Sequence, residues 1–328
     1  MFAWVVGIIF IVLISICIYG ANFFVNVAFF KDSTWFAKKG HALFNPDNFS
    51  KEKTVYTEIE DRQNEEGHSF WEEEATEEIF MPWNNETLCA RVFRAVPTTS
   101  KWIIAVHGYR SSGKRDMSYP AKVLNEAGFN VLVPDLQSHG KSTGNEIGMG
   151  WLEKENVKAW IDKIISHYPE AEIILFGGSM GAATVMMTSG DQLPEQVKIL
   201  IADCGYINIY DEFSYLLSSA LKLPATPILF FANYLAKFKL GFTLKEASSV
   251  EQLKKNKLPI LFFHGTKDKF VPHEMVYKNM EATIGIKELV LVEDAPHLCS
   301  WVYEEKKYFE TILNFINENL TKGDRHGK

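Results

Sequence analysis

The chain has 328 residues, 47% of them hydrophobic and 23% charged, which suits one large domain or two modest ones and excludes a disordered chain. Its net charge of -7, with no basic stripe or aromatic platform, argues against nucleic acid as a partner. Four scattered cysteines (Cys17, Cys89, Cys204 and Cys299) show neither C-x-x-C nor Cys/His metal spacing, so no disulfide framework, metal or cofactor is expected.

Residues 2–30 carry no charged side chain, and 5–19 are almost continuously apolar, long enough to cross a bilayer as a helix. A membrane anchor over residues 1–30 is expected. A cleaved signal or a buried core helix fits less well, because no Lys or Arg precedes the run and no small-x-small cleavage site follows it. Lys31, Lys38 and Lys39 after the span lean toward a cytoplasmic domain, a bias that long translocated domains override. Residues 31–75 are charged and aromatic, acidic over 58–66, and read as a linker with a short helix. Two apolar runs then flank Asn84-Asn85, which predicts an antiparallel hairpin because asparagine tolerates positive φ in tight turns.

From there apolar strands alternate with helix-period segments: 102–106, 119–127, 131–134, 151–167, 173–176, 181–188, 198–202, 260–263, 273–283, 289–292 and 302–320. This alternation predicts an α/β fold over 76–322, a mostly parallel twisted sheet with helices on both faces, begun by the antiparallel hairpin. Residues 207–257 interrupt it and include an apolar run at 228–232. A helical lid that shields a site and shapes an acyl pocket is expected there. Residues 323–328 form a polar tail.

The strand 173–176 breaks into a helix through Gly177-Gly178-Ser179-Met180-Gly181. G-x-S-x-G places a serine on a strained strand-to-helix turn, with glycines where a Cβ would meet neighbouring backbone. A serine hydroxyl is a weak nucleophile and needs a base and an acid that orients the base, here in the chain order Ser, acid, His. Asp268 lies one short loop beyond the strand 260–263, and Asp203, at the end of the preceding strand, is its rival. Asp294 reads as structural. Of the histidines beyond Asp268, His326 lies in the polar tail and His273 sits too close to the acid loop. His297, after the last strand, is the expected base. The amides of Met180 and of Tyr109, in the strand-end run His107-Gly108-Tyr109, are the expected oxyanion donors. His107 and His264, each before a glycine at a strand end, read as structural, and Arg110 and Lys114 are candidate contacts to an anionic substrate group.

With these residues the chain resembles the α/β-hydrolase superfamily, and more narrowly the membrane-anchored bacterial serine hydrolases described as serine-aminopeptidase-like or lysophospholipase-like. The likeness covers about residues 77–320 and rests on His107-Gly108-Tyr109, the loop 135–142, Gly177 to Gly181, His264 to Asp268, and Ala295-Pro296-His297. The family loop often reads D-x-R-G-H-G-x-S, whereas Gln137 and Ser138 stand here for the Arg and Gly. The resemblance assigns His139 a structural role in that loop. It implies a serine hydrolase acting through an acyl-enzyme on Ser179. With an apolar lid and an anchor, the ester of a lipid or other small acyl compound is the preferred substrate. Amide cleavage by a peptidase and acyl transfer are the alternatives, and a non-catalytic scaffold is disfavoured by the complete set of Ser179, Asp268 and His297.

Overall fold

Eight strands, β1 (Glu77–Trp83), β2 (Glu86–Phe93), β3 (Lys101–Val106), β4 (Asn130–Asp135), β5 (Glu172–Gly178), β6 (Val197–Asp203), β7 (Ile260–Gly265) and β8 (Lys287–Val292), form one sheet in the order β1-β2-β4-β3-β5-β6-β7-β8. The computed structural model describes residues 2–33, 55–74, 77–219 and 222–323. The expected 34–54 stretch of linker and the tail with His326 lie outside the described residues. β1 and β2 form the predicted hairpin, turning at Asn84 with φ 50°. β2 is also antiparallel to β4, and every other pairing is parallel. The central strands are buried on both faces, which is why they read as unbroken apolar runs rather than alternating ones.

The helices among the described residues are α1 (Phe2–Phe29), α2 (Val55–Glu73), α3 (Gly113–Glu126), α4 (Glu153–His167), α5 (Met180–Thr188), α6 (Ile209–Ser219), α7 (Ala225–Leu240), α8 (Ser249–Leu253), α9 (Glu274–Ala282), α10 (Ser300–Tyr303) and α11 (Glu305–Gly323). One face of the sheet is covered by α1, α4 to α7 and α9, the other by α2, α3, α10 and α11. Helix α3 starts earlier than its apolar pattern predicts, because Ser112 caps a polar first turn by accepting a hydrogen bond from the Arg115 amide. Helix α2, at 19 residues, is longer than the expected short helix. It is held by Phe70 and Trp71 against Phe93, and by Gln63 and Arg62, which donate to Glu305.

Among the described residues, one helix is long and apolar enough to cross a membrane, over Trp4–Phe29. Its two ends differ in surroundings. The large apolar side chains from Phe2 to Tyr19 are mostly exposed, whereas Ala21, Phe24, Val25, Val27, Ala28 and Phe29 are buried. The eighteen residues from Phe2 to Tyr19, at 1.5 Å rise, give about 27 Å, close to the thickness of a hydrocarbon core. The buried end packs on α6 and α7: Phe24 and Phe29 set their edges against Phe213, and Lys239 donates to the side chains of Asn22 and Asn26. Beyond it, Phe30 bridges to Glu146, and the Ile147 amide donates to Phe29 O at 2.8 Å. The run 228–232 lies in α7, which ends on Gly241 in the left-handed conformation, with Lys237 and Lys239 beside its last carbonyls.

Candidate active site

Ser179 stands at the corner between β5 and α5 with φ 57° and ψ -120°, a conformation that non-glycine residues rarely adopt. Two glycines make the corner possible by close approach. A Cβ on Gly177 would lie 2.3 Å from the Gly181 carbonyl, and one on Gly181 would lie 2.0 Å from Val106 O. The turn is tied to the sheet by the Ser179 amide, which donates to Asp203 O at 2.9 Å.

The loops after β7 and β8 bring the other two residues to this corner. His297 Nε2 is 2.8 Å from Ser179 Oγ, and His297 Nδ1 is 2.7 Å from Asp268 Oδ2. All three side chains are buried. The remaining Asp268 oxygen accepts from the Phe270 and Val271 amides at 2.8 and 2.9 Å. Burial alone would raise the Asp268 carboxyl. The His297 charge and the hydrogen bonds from His264 and His297 outweigh it and hold the group well below the usual carboxylate range. The rival Asp203 is turned elsewhere, accepting from Ser300 Oγ at 3.0 Å, and burial pushes it up to about 6. Asp294, also expected to be structural, pairs with Lys267 at the surface.

The loop after β3 approaches from the opposite side. A Cβ on Gly108 would be 3.4 Å from Ser179 Cβ, and the Gly108 amide donates to Asp116 Oδ2 at 2.8 Å. His107 donates to Gly108 O through Nδ1 and accepts from the Leu136 amide at Nε2. His139 accepts from the Arg110 amide at 3.0 Å, and burial, followed by the His107 charge, depresses its pKa well below the imidazole value. Both histidines therefore brace this loop. Ser138, where the family often has Gly, adopts φ 65° and compensates with a hydrogen bond from its hydroxyl to Glu146 O at 2.8 Å.

Arg110 and Lys114, expected as contacts to an anionic substrate group, are engaged elsewhere. The Arg110 guanidinium donates to Val27 O and Phe30 O at 2.8 and 2.9 Å, capping the end of α1, and Tyr109 Oη donates to Ala28 O at 2.7 Å. Lys114 pairs with Glu72 at the surface. A helix end leaves its last carbonyls without partners inside the helix, and here Arg110 takes Val27 O, Tyr109 takes Ala28 O and the Ile147 amide takes Phe29 O.

A small pocket, with room for about one water molecule, lies over Ser179 and Met180 and is walled by Tyr109, Met149, Tyr206, Glu212, Phe213, Leu216 and Phe270. The insertion supplies Glu212, Phe213 and Leu216, all from α6. Two residues near the Ser179 corner carried weak sequence signals. His264 Nε2 sits 3.3 Å from Asp268 Oδ2 and 3.0 Å from Val271 O, and only its strand-end position hinted at this. Glu212 occupies a buried position in the stripe 209, 212, 213, 216 and 217, where helical spacing predicts an apolar residue. Cys204, Asp268 and His297 also bring potential ligand atoms within 4.8 Å of one another. Both His297 nitrogens are already engaged, and burial keeps the Cys204 thiol protonated, which disfavours an ion on these three groups.

The chain has the α/β-hydrolase fold. A model of the family described as serine aminopeptidase, S33, matches residues 97–236, less than half of the chain. The uncharacterized protein YqkD of Bacillus subtilis (strain 168) is 26% identical over 273 residues, 82% of this chain and 89% of its own length. Among solved structures, the Pyrococcus furiosus esterase Pf2001 is 22% identical, with a TM-score of 0.58 over 74% of this chain and 90% of its own. Est1E from Butyrivibrio proteoclasticus, solved with ferulic acid bound, is 19% identical, with a TM-score of 0.59 over 74% of this chain and 99% of its own.

Proposed function

We propose that the protein is a membrane-tethered serine hydrolase that cleaves a carboxylic ester of a lipid or small acyl compound through an acyl-enzyme on Ser179. The observation that carries this is the chain of contacts from Ser179 Oγ through His297 to Asp268, at 2.8 and 2.7 Å, on a corner with positive φ. His297 carries its proton on Nδ1, donated to Asp268, and Nε2 accepts from the serine hydroxyl. As Oγ attacks the ester carbonyl, Nε2 takes its proton, and Asp268 stabilises the imidazolium that forms. The Met180 and Tyr109 amides are the proposed donors to the oxyanion. The imidazolium then protonates the leaving alkoxide, and water activated by the same nitrogen releases the acid.

The apolar wall of Met149, Phe213, Leu216 and Phe270 supports an acyl group as the portion bound, and the esterase folds above support an ester. The exposed apolar stretch of α1 supports the tether. In this organisation residues 1–30 anchor the chain, 76–322 form the hydrolase domain and 207–257 form its lid. Amide cleavage is the second reading, favoured by the family description of the matched model. A fluorophosphonate probe is expected to label the full chain at Ser179 and to leave Ser179→Ala unlabelled. p-Nitrophenyl esters of graded chain length, assayed beside aminoacyl amides, decide between the readings. Turnover of the amides alone would replace the ester reading by the peptidase one, and equal labelling of both proteins would remove the enzyme reading.

A further inference from the structure

Among the described residues Glu212 is the one acidic side chain in the pocket wall, and the reaction above does not use it. It lies in the first turn of α6, 1% exposed, and neither carboxyl oxygen has a hydrogen-bond partner. The polar neighbours in the wall are committed elsewhere: Tyr206 Oη donates to Met149 O and Tyr109 Oη to Ala28 O. The rest of the wall is apolar. A buried polar group without a partner is destabilising, so a carboxyl kept in the wall of the small pocket over Ser179 points to a partner that arrives as the pocket opens around substrate.

We propose that Glu212 is a specificity residue that selects acyl groups bearing a neutral hydroxyl or oxo substituent over plain alkyl chains. This rests on the reading of Ser179 as the acylated residue. Burial, reinforced by the Asp268 charge, raises the Glu212 carboxyl well above the usual carboxylate value and keeps it protonated. A protonated carboxyl offers one donor and one acceptor, the complement of a hydroxyl, and its donor alone matches an oxo group. An ammonium substituent fits less well. It would require Glu212 to ionise within an apolar wall, with both charges stripped of water, in a site where His297 becomes cationic during turnover. A site built to hydrogen-bond a substituent discriminates strongly against the analogue that lacks it, because the wall group is then left unpaired.

The test compares p-nitrophenyl butyrate, 3-hydroxybutyrate, 3-oxobutyrate and 3-aminobutyrate on the full chain and on Glu212→Gln and Glu212→Leu. In the wild type, kcat/KM for the hydroxy or oxo ester is expected to exceed that for butyrate by at least about 10-fold. Gln, an isostere that keeps a donor and an acceptor, is expected to hold this ratio within a few-fold. Leu is expected to lower it by about 10- to 100-fold. A wild-type ratio near one overturns the assignment without reference to any variant, as does a ratio that survives in Leu. A preference for the amino ester that Gln abolishes overturns it in favour of an ion pair. Fluorophosphonate labelling separates the two levels of the argument: intact labelling without substituent preference removes the role of Glu212 alone, and absent labelling removes the acyl-enzyme reading with it.

Discussion

Cutting the chain at two points along α1 tests whether this helix is only a tether. The exposed portion ends near Tyr19, whereas Phe24, Val25, Val27 and Phe29 are 7, 0, 4 and 0% exposed. Burying an apolar side chain of this size contributes about 1.5–3 kcal/mol, so removing these four forfeits about 6–12 kcal/mol as an upper estimate. That is comparable with the ~5–15 kcal/mol by which whole domains are stable. The loss falls on the site, because Phe213 sits between Phe24, Phe29 and the cavity, and Arg110 loses the carbonyls of Val27 and Phe30. A chain of residues 19–328 is expected to melt within a few degrees of the full protein and to keep its rate of p-nitrophenyl ester hydrolysis. A chain of residues 31–328 is expected to melt at least 10 °C lower or to aggregate, and to lose at least about 10-fold in fluorophosphonate labelling rate. Equal melting and labelling of the two truncations would refute the reasoning, since the buried half of α1 would then contribute nothing to the lid or the loop beneath it.

Asp268→Asn is expected to lower kcat by about 10⁴, because the amide favours the wrong imidazole tautomer, whereas Asp203→Asn stays within about 10-fold; steady-state ester hydrolysis checks both. The buried Asp203, raised from an ordinary 3.8 to about 6, binds protons more tightly in the folded than in the unfolded chain. Its stabilisation is full below pH 3.8 and is lost as pH rises toward 6, about 3 kcal/mol at ~1.4 kcal/mol per pH unit. Glu153, raised to about 7, adds a slope of the same sign, so the measurement is the difference between wild type and Asp203→Asn in urea unfolding from pH 4 to 7. Asp268 acts oppositely, its stabilisation lost as pH falls below 3.8. Gly181→Ala would place a Cβ 2.0 Å from Val106 O, a clash with backbone that no rotamer relieves, and is expected to cost more than about 3 kcal/mol in unfolding experiments. Gly20→Ala, with nothing within 4 Å of its Cβ, is the matched control and is expected to be neutral or mildly stabilising.

What the sequence made legible was whatever depends on residue type at short range. Apolar strands ending in Gly-x-Ser-x-Gly, His-Gly and Pro-His announce the sheet, and the corner at Ser179 leaves a local mark because only glycine fits at 177 and 181. What it hid depends on contacts between distant segments. Residues 2–30 are uncharged and mostly apolar, so no sustained period separates the exposed end from the end that docks on α6 through Phe24 and Phe29. Arg110 read as a ligand for an anion because its partners, the carbonyls ending α1, are backbone groups with no sequence signature. Glu212 did leave a mark, a carboxyl in the core stripe of an amphipathic helix, but beside Asp211 it passes for one of two acids opening a helix.

Under the proposal that α1 is a membrane anchor, the cap that Arg110 places on it also sets how far the enzyme can reach. A tether of loose chain would let a catalytic domain drift and sample substrates through a hemisphere of solution. Here the last turn of the helix, the loop beside Ser179 and the insertion over it are joined by hydrogen bonds and ring contacts without an intervening hinge. With α1 in a bilayer, the mouth of the cavity is held at a set height and attitude above the membrane plane. The concentration that matters to such an enzyme is then that of molecules residing in or emerging from the adjacent leaflet, counted per unit area rather than per unit volume.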